Sequence, residues 1–67
     1  MIKNNMKVLR AKKDITQEQL AQKVGVTRQT ILAIEKNKYS PTLKLAFDMA
    51  KVFGVGIDEI FYTENEK

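Results

Sequence analysis

The stretch TQEQLAQKVGVTRQTILAIEKNK, residues 16–38, changes character halfway along. Its first half has the spacing of an amphipathic helix, with Leu20, Ala21 and Val24 on one face. Thr16 stands at the N-cap, and Gln19, three residues later, is placed to answer the Thr16 backbone N–H as a capping box. Gly25 sits where a helix ends in a left-handed residue. Val26 follows as a buried plug, and Thr27 caps the next helix after a very short turn. That next helix, predicted over 28–36, buries Ile31 and Ile34 beside Thr27. It also carries Arg28, Gln29, Leu32, Ala33 and Lys36 on an outward arc of roughly 140°, at about 100° per residue. Such a second surface needs a partner other than the core.

A helix, a short Gly-containing turn and a second helix that is basic and polar outside form the geometry of a helix-turn-helix. Arg28 and Gln29 lie at the start of the second helix, aimed outward. In the major groove of B-DNA an arginine donates bidentately to guanine and a glutamine pairs with adenine, so these two residues are the candidates for direct base readout.

Outward from this pair the pattern stays helical. A first helix is expected over 5–13, with Asn4 as its N-cap and Met6, Leu9 and the Lys13 stem facing inward. After 36, the stretch NKYSP breaks the helix, and either Ser40 with Pro41 at the first helical position, or Thr42, caps a fourth helix ending at Phe53. In that helix Leu43, Ala46, Met49, Ala50 and Phe53 form a core stripe, and Gly54 ends it. VGIDEIFY makes one more turn that returns Ile57, Ile60 and Phe61 to the core, and TENEK, 63–67, reads as a frayed charged tail. The best strand signal is EIFYT, 59–63, which suits a minimal pairing with MIKN, 1–4.

The chain has 67 residues, room for one domain and one core over 1–67. It has no cysteine and no histidine, which removes disulfides, thiolate metal sites and the commonest general base and metal ligand. The acids Asp58, Glu59, Glu64 and Glu66 fall at a helix start and in the tail, where they read as capping and solubilising charges, so no enzyme and no cofactor is expected. No apolar run approaches the roughly 20 residues that span a bilayer, and the N-terminus lacks an apolar leader core, so a cytoplasmic protein is expected. Charge is uneven. Residues 1–44 hold ten Lys/Arg against three Asp/Glu, a net +7, and residues 45–67 hold two against five, a net −3. That asymmetry suits a basic face for a polyanion, although charge alone fits a solvated surface equally well.

With LRAKKDITQEQLAQKVGVTRQTILAIEKNKYSPTLKLAFDMAKVFGV and the closing IDEIF, the chain resembles the Cro/CI-type, lambda-repressor-like helix-turn-helix proteins often called the XRE family. The likeness runs from Met6 to Phe61. It implies an all-α, five-helix bundle whose second and third helices, about 16–36, bind double-stranded DNA in a prokaryotic or phage setting. Gln17 matches the family glutamine that touches the phosphate backbone and braces the recognition helix. Thr27, Arg28, Gln29, Leu32 and Ala33 match the variable base-reading positions, where Leu32 could press a thymine methyl. Ala33 departs from the polar residue often seen there, which removes a hydrogen bond and allows close approach. Arg10 and Glu35 match an internal ion pair between the first and third helices. Electrostatics agrees, since Glu35 is the one acid on the recognition helix and would repel DNA unless neutralised. Asn37, Lys38 and Tyr39 match phosphate-holding loop positions, which Lys36 and Lys44 could join.

Leu45, Phe47, Val52, Val55 and Tyr62 are left over once the expected core is filled, and most lie in the less basic half. A C2 dimer through about 45–63 would bury them and set two recognition helices about 34 Å apart, over a near-palindromic operator. The expectation is thus a dimeric regulator, a repressor by default because it has no sensor domain. The rival is an antitoxin-like or adaptor module that uses the same fold to hold a protein. RNA is disfavoured because the major groove of A-form helices is too narrow for a recognition helix.

Overall fold

A computed structural model describes residues 2–63, and the predicted tail lies outside the described residues from position 64 onward, Glu64 and Glu66 included. In chain order the elements are β1 (Ile2–Asn4), α1 (Met6–Lys13), α2 (Gln17–Val24), α3 (Arg28–Glu35), α4 (Leu43–Phe53), α5 (Ile57–Ile60) and β2 (Phe61–Thr63). The termini pair as a two-stranded antiparallel ribbon with Ile2 opposite Thr63, Lys3 opposite Tyr62 and Asn4 opposite Phe61. So short a ribbon holds only because it is anchored to the bundle. The Asn5 N–H donates to the Ile60 carbonyl at 2.8 Å, and its side-chain amide donates to the Glu59 carbonyl at 3.2 Å.

Local chemistry sets the helix boundaries. Thr16 Oγ1 accepts the Gln19 N–H at 3.0 Å while Gln19 Oε1 accepts the Thr16 N–H at 2.9 Å, so both halves of the capping box are made. Gly25 ends α2 at φ 77°, a left-handed angle that glycine adopts without a Cβ penalty. Thr27 Oγ1 then accepts the Thr30 N–H at 3.3 Å and starts α3. Of the two caps open for α4, the structure uses Thr42, whose Oγ1 accepts the Leu45 N–H at 3.2 Å. At α1 the cap position is Asn5 rather than Asn4, and its side chain makes no capping bond. Asn4 Oδ1 nevertheless accepts the Met6 N–H at 3.0 Å.

Met6, Leu20, Ile31, Met49 and Ile60 are completely buried, one from each helix, and Ala21, Ile34, Leu45 and Phe53 close around them. Each fully buried large aliphatic or aromatic side chain contributes about 1.5–3 kcal/mol of transfer free energy. Among the described residues no helix is long and apolar enough to cross a membrane.

The expected α4 stripe needs correction. Leu43, placed in the core by spacing, is 71% exposed, whereas Leu45, assigned to a dimer interface, is 7% exposed and belongs to the core. Around the α4 axis Leu45, Ala46, Met49 and Phe53 fall within an arc of about 100°, and Leu43 lies about 60° beyond Ala46. Val52 and Val55 also pack partly against the core, so they are not surplus residues. Ile57 is only half-buried, and Lys13 is exposed rather than inward-facing. Of the five expected interface residues, Phe47 and Tyr62 remain exposed.

Candidate nucleic-acid interface

The short turn after Gly25 fixes α3 against α2, with Ile31 and Ile34 buried and the opposite face open to solvent. Arg28 and Gln29 stand exposed in the first turn of α3, and among the described residues their side chains make no hydrogen bond or ion pair. Two long polar side chains held by one rigid helix end, with every donor unspent, suit base-edge recognition. Thr27 is exposed, but its hydroxyl is engaged by the Thr30 N–H and lies 3.1 Å from the Thr30 hydroxyl. Leu32 and Ala33 are half-buried one turn further along.

Behind this surface lies a charged network. Arg10 Nε donates to Glu35 Oε2 at 2.6 Å and Arg10 Nη2 to Glu35 Oε1 at 3.2 Å, a bidentate pair whose side chains are 14% and 6% exposed. Gln17 Nε2 donates to Glu35 Oε1 at 3.0 Å, and Arg10 Nη1 reaches the Ile15 carbonyl at 3.3 Å. One acid of α3 is therefore neutralised by α1 and bonded by the first residue of α2, which locks three helices at one point. Gln17, expected at phosphate, spends one of its two amide hydrogens on this brace.

Gln17 and Arg28 share a shallow depression with Arg10, Asp14, Thr16 and Glu18. The N-terminus of α2 opens there, and its unpaired N–H groups favour an anion, while Asp14 and Glu18 oppose one. At the other end of α3, Lys36, Asn37, Lys38 and Tyr39 are all exposed. Lys44 is set apart from them, since it pairs with Asp48 at 2.9 Å on its own helix. Such an exposed i,i+4 pair is weak and leaves the ammonium free to exchange partners.

Sequence reasoning missed one participant. Asn4 Nδ2 lies 3.0 Å from the Ile34 carbonyl, 3.3 Å from the Glu35 carbonyl and 3.0 Å from Asn37 Oδ1. Asn37 itself is left-handed at φ 62°, where asparagine is one of the few tolerated residues. An asparagine just past a helix is a legible local signal, but the reach of Asn4 across some thirty residues is not. Among the described residues no group of three or more His, Cys, Asp or Glu is gathered that could hold a metal ion.

Comparison with known proteins agrees with this geometry. The family model described as helix-turn-helix matches residues 6–60. The chain is 58% identical over 66 residues to an uncharacterised HTH-type transcriptional regulator of Methanocaldococcus jannaschii, covering 98% of this chain and 100% of that one. It is 38% identical over 60 residues to the cryptic phage CTXphi transcriptional repressor RstR of Vibrio cholerae, covering 90% of this chain and 54% of RstR. Among solved structures, a candidate DNA-binding protein from Bacteroides fragilis superposes with a TM-score of 0.82 at 29% identity, covering 92% of this chain and 100% of that one.

Proposed function

This chain belongs to the helix-turn-helix family, and from that premise we propose that it is a sequence-specific DNA-binding transcription regulator that represses by occupying its operator as a dimer. The observation that carries the reading is the pairing of Arg28 and Gln29, exposed and unspent at the start of α3, with a Glu35 whose charge is neutralised from behind.

In this reading α3 enters the major groove, with Arg28 and Gln29 on base edges, Thr27, Leu32 and Ala33 against them, and Leu32 on a thymine methyl. Gln17 with the α2 N-terminus, and Lys36, Lys38 and Tyr39 beyond α3, hold phosphates on either side. A regulator of this kind works in the cytoplasm of a prokaryotic cell. Repression rests on the likeness to RstR.

Self-association rests on exposed apolar residues. Leu43 and Phe47, four residues apart on one face of α4, are 71% and 53% exposed. Leu43 borders an apolar groove with Ile2, Pro41, Ile57 and Phe61. Tyr62 does not join this face, since it stands opposite Lys3 on the far side of the ribbon from Ile2 and Phe61.

The direct experiment is selection of duplexes from a random-sequence pool, followed by anisotropy titrations against selected and scrambled DNA at two salt concentrations. A preference of roughly a thousandfold that weakens steeply with salt supports the reading. Equal, weak binding to both duplexes would move the function to a protein-binding module on the same fold.

A further inference from the structure

Asn4 joins three parts of the molecule that are far apart in sequence. Its Oδ1 accepts the Met6 N–H at the start of α1, and its register partner Phe61 fixes it in the terminal ribbon. Its Nδ2 faces the last turn of α3, where the carbonyls have run out of intrahelical donors. Asn37 N–H covers the Ile34 carbonyl at 2.9 Å and Lys38 N–H covers the Ala33 carbonyl at 2.9 Å. Among the described residues the Glu35 carbonyl is reached only by the Asn4 amide. The same amide holds Asn37 Oδ1, and so pins the left-handed residue that turns the chain away from α3. The posture of residues 35–38 is thus set by the two backbone bonds from Asn37 and Lys38 within the helix-turn-helix and, from outside it, by a side chain of the ribbon.

We propose that Asn4 is a positioning residue for DNA binding: by fixing the exit of α3 it presents Lys36, Lys38 and the intervening backbone to a phosphate while Arg28 and Gln29 are seated at the bases. This rests on the DNA-binding reading above. Phosphate contacts set register on the duplex, so an α3 exit that wanders by an ångström loosens both ends of the helix at once.

Three variants separate this role from plain stability. Asn4→Asp keeps the acceptor for the Met6 N–H but turns a carboxylate oxygen on three acceptor oxygens and on the negative end of the α3 dipole. Asn4→Ser keeps an acceptor and loses the reach. Asn37→Gly preserves the positive φ and deletes the Oδ1 partner, together with the Nδ2 expected near a phosphate, so it is read only beside Asn4→Ser. Each is titrated by fluorescence anisotropy against a duplex selected by the wild-type protein, over a series of salt concentrations, with the folded fraction followed by circular dichroism at the same temperature.

The expected result for Asn4→Asp is a Kd raised about three- to thirtyfold. The slope of log affinity against log salt should flatten by about one, and the Kd should rise beyond what any fall in folded fraction accounts for. Asn37→Gly should move both binding readouts the same way by less. Unchanged Kd and slope in Asn4→Asp, or a loss matched by its unfolded fraction with the slope intact, overturns the role. Should Asn4→Asp unfold, Asn4→Ser and Asn37→Gly decide on the same two readouts. A pool from which the wild-type protein selects nothing overturns the DNA-binding reading and this role with it. A selected duplex that Asn4→Asp binds as well as wild type overturns the Asn4 role alone.

Discussion

Arg10 grips Glu35 through two hydrogen bonds, at 2.6 and 3.2 Å, and the carboxylate is the deeper partner, 6% exposed against 14% for the guanidinium. The two halves should therefore not be equivalent. Arg10→Ala strands a buried anion with, among the described residues, only Gln17 to answer it, and should cost about 3–5 kcal/mol. Glu35→Ala leaves an arginine near the rim, whose long stem can carry its charge to water, and should cost less, about 1–3 kcal/mol. Arg10→Lys should recover only part of the loss, because an ammonium cannot make the bidentate contact. Urea denaturation of the three variants checks this, and equal costs for Arg10→Ala and Glu35→Ala would rule out the asymmetry.

A second prediction concerns where α4 starts. The Thr42 hydroxyl makes the N-cap bond, whereas Ser40 lies outside the helix. Thr42→Ala should lower stability by about 1 kcal/mol. Ser40→Ala should stay within about 0.5 kcal/mol of wild type. The reverse order in thermal melts would move the helix start back to Pro41.

The capping box of Thr16 with Gln19, the left-handed Gly25 and Gly54, and the Thr27 cap were legible in the sequence because each is decided within four residues by backbone chemistry. The resemblance located the Arg10 and Glu35 pair, and the electrostatic isolation of Glu35 on α3 pointed the same way. Leu43 and Leu45 were misassigned for a physical reason. Both border the arc defined by Ala46, Met49 and Phe53, and which border turns inward depends on α1, α2 and α5 packing against α4. Asn4 was legible only as a cap for α1, since its amide finds partners that the ribbon brings together from beyond any local window. The terminal ribbon itself was visible only as a weak β signal at either end, and the pairing depends on a core to which the two segments supply Ile60 alone among its fully buried residues.

On DNA the residues of α3 should divide by role. Arg28→Ala and Gln29→Ala should each lose about 1–3 kcal/mol on a selected duplex, and Gln29→Ala should lose little on scrambled DNA. Lys38→Ala should weaken both duplexes alike and flatten the salt slope by about 0.9. Anisotropy titrations over a salt series read all three, and equal losses for Gln29→Ala on both duplexes would remove it from base reading.

The division of α4 between core and outer face yields the last prediction. Leu45 is buried beside Met49, so Leu45→Ala should destabilise the fold by about 2–5 kcal/mol whatever the protein's assembly state. Leu43 and Phe47 are exposed, and placing a charge there removes no core contact. Phe47→Glu should leave the melting temperature at low protein concentration unchanged while shifting sedimentation equilibrium from dimer to monomer. Its affinity for a two-half-site duplex should then fall towards that for a single half-site, because linked binding is lost when one protomer no longer holds the other at the duplex. A Phe47→Glu protein that still sediments as a dimer would place the interface elsewhere. A wild-type protein that sediments as a monomer and binds one half-site would end the dimer proposal while leaving base reading by α3 intact.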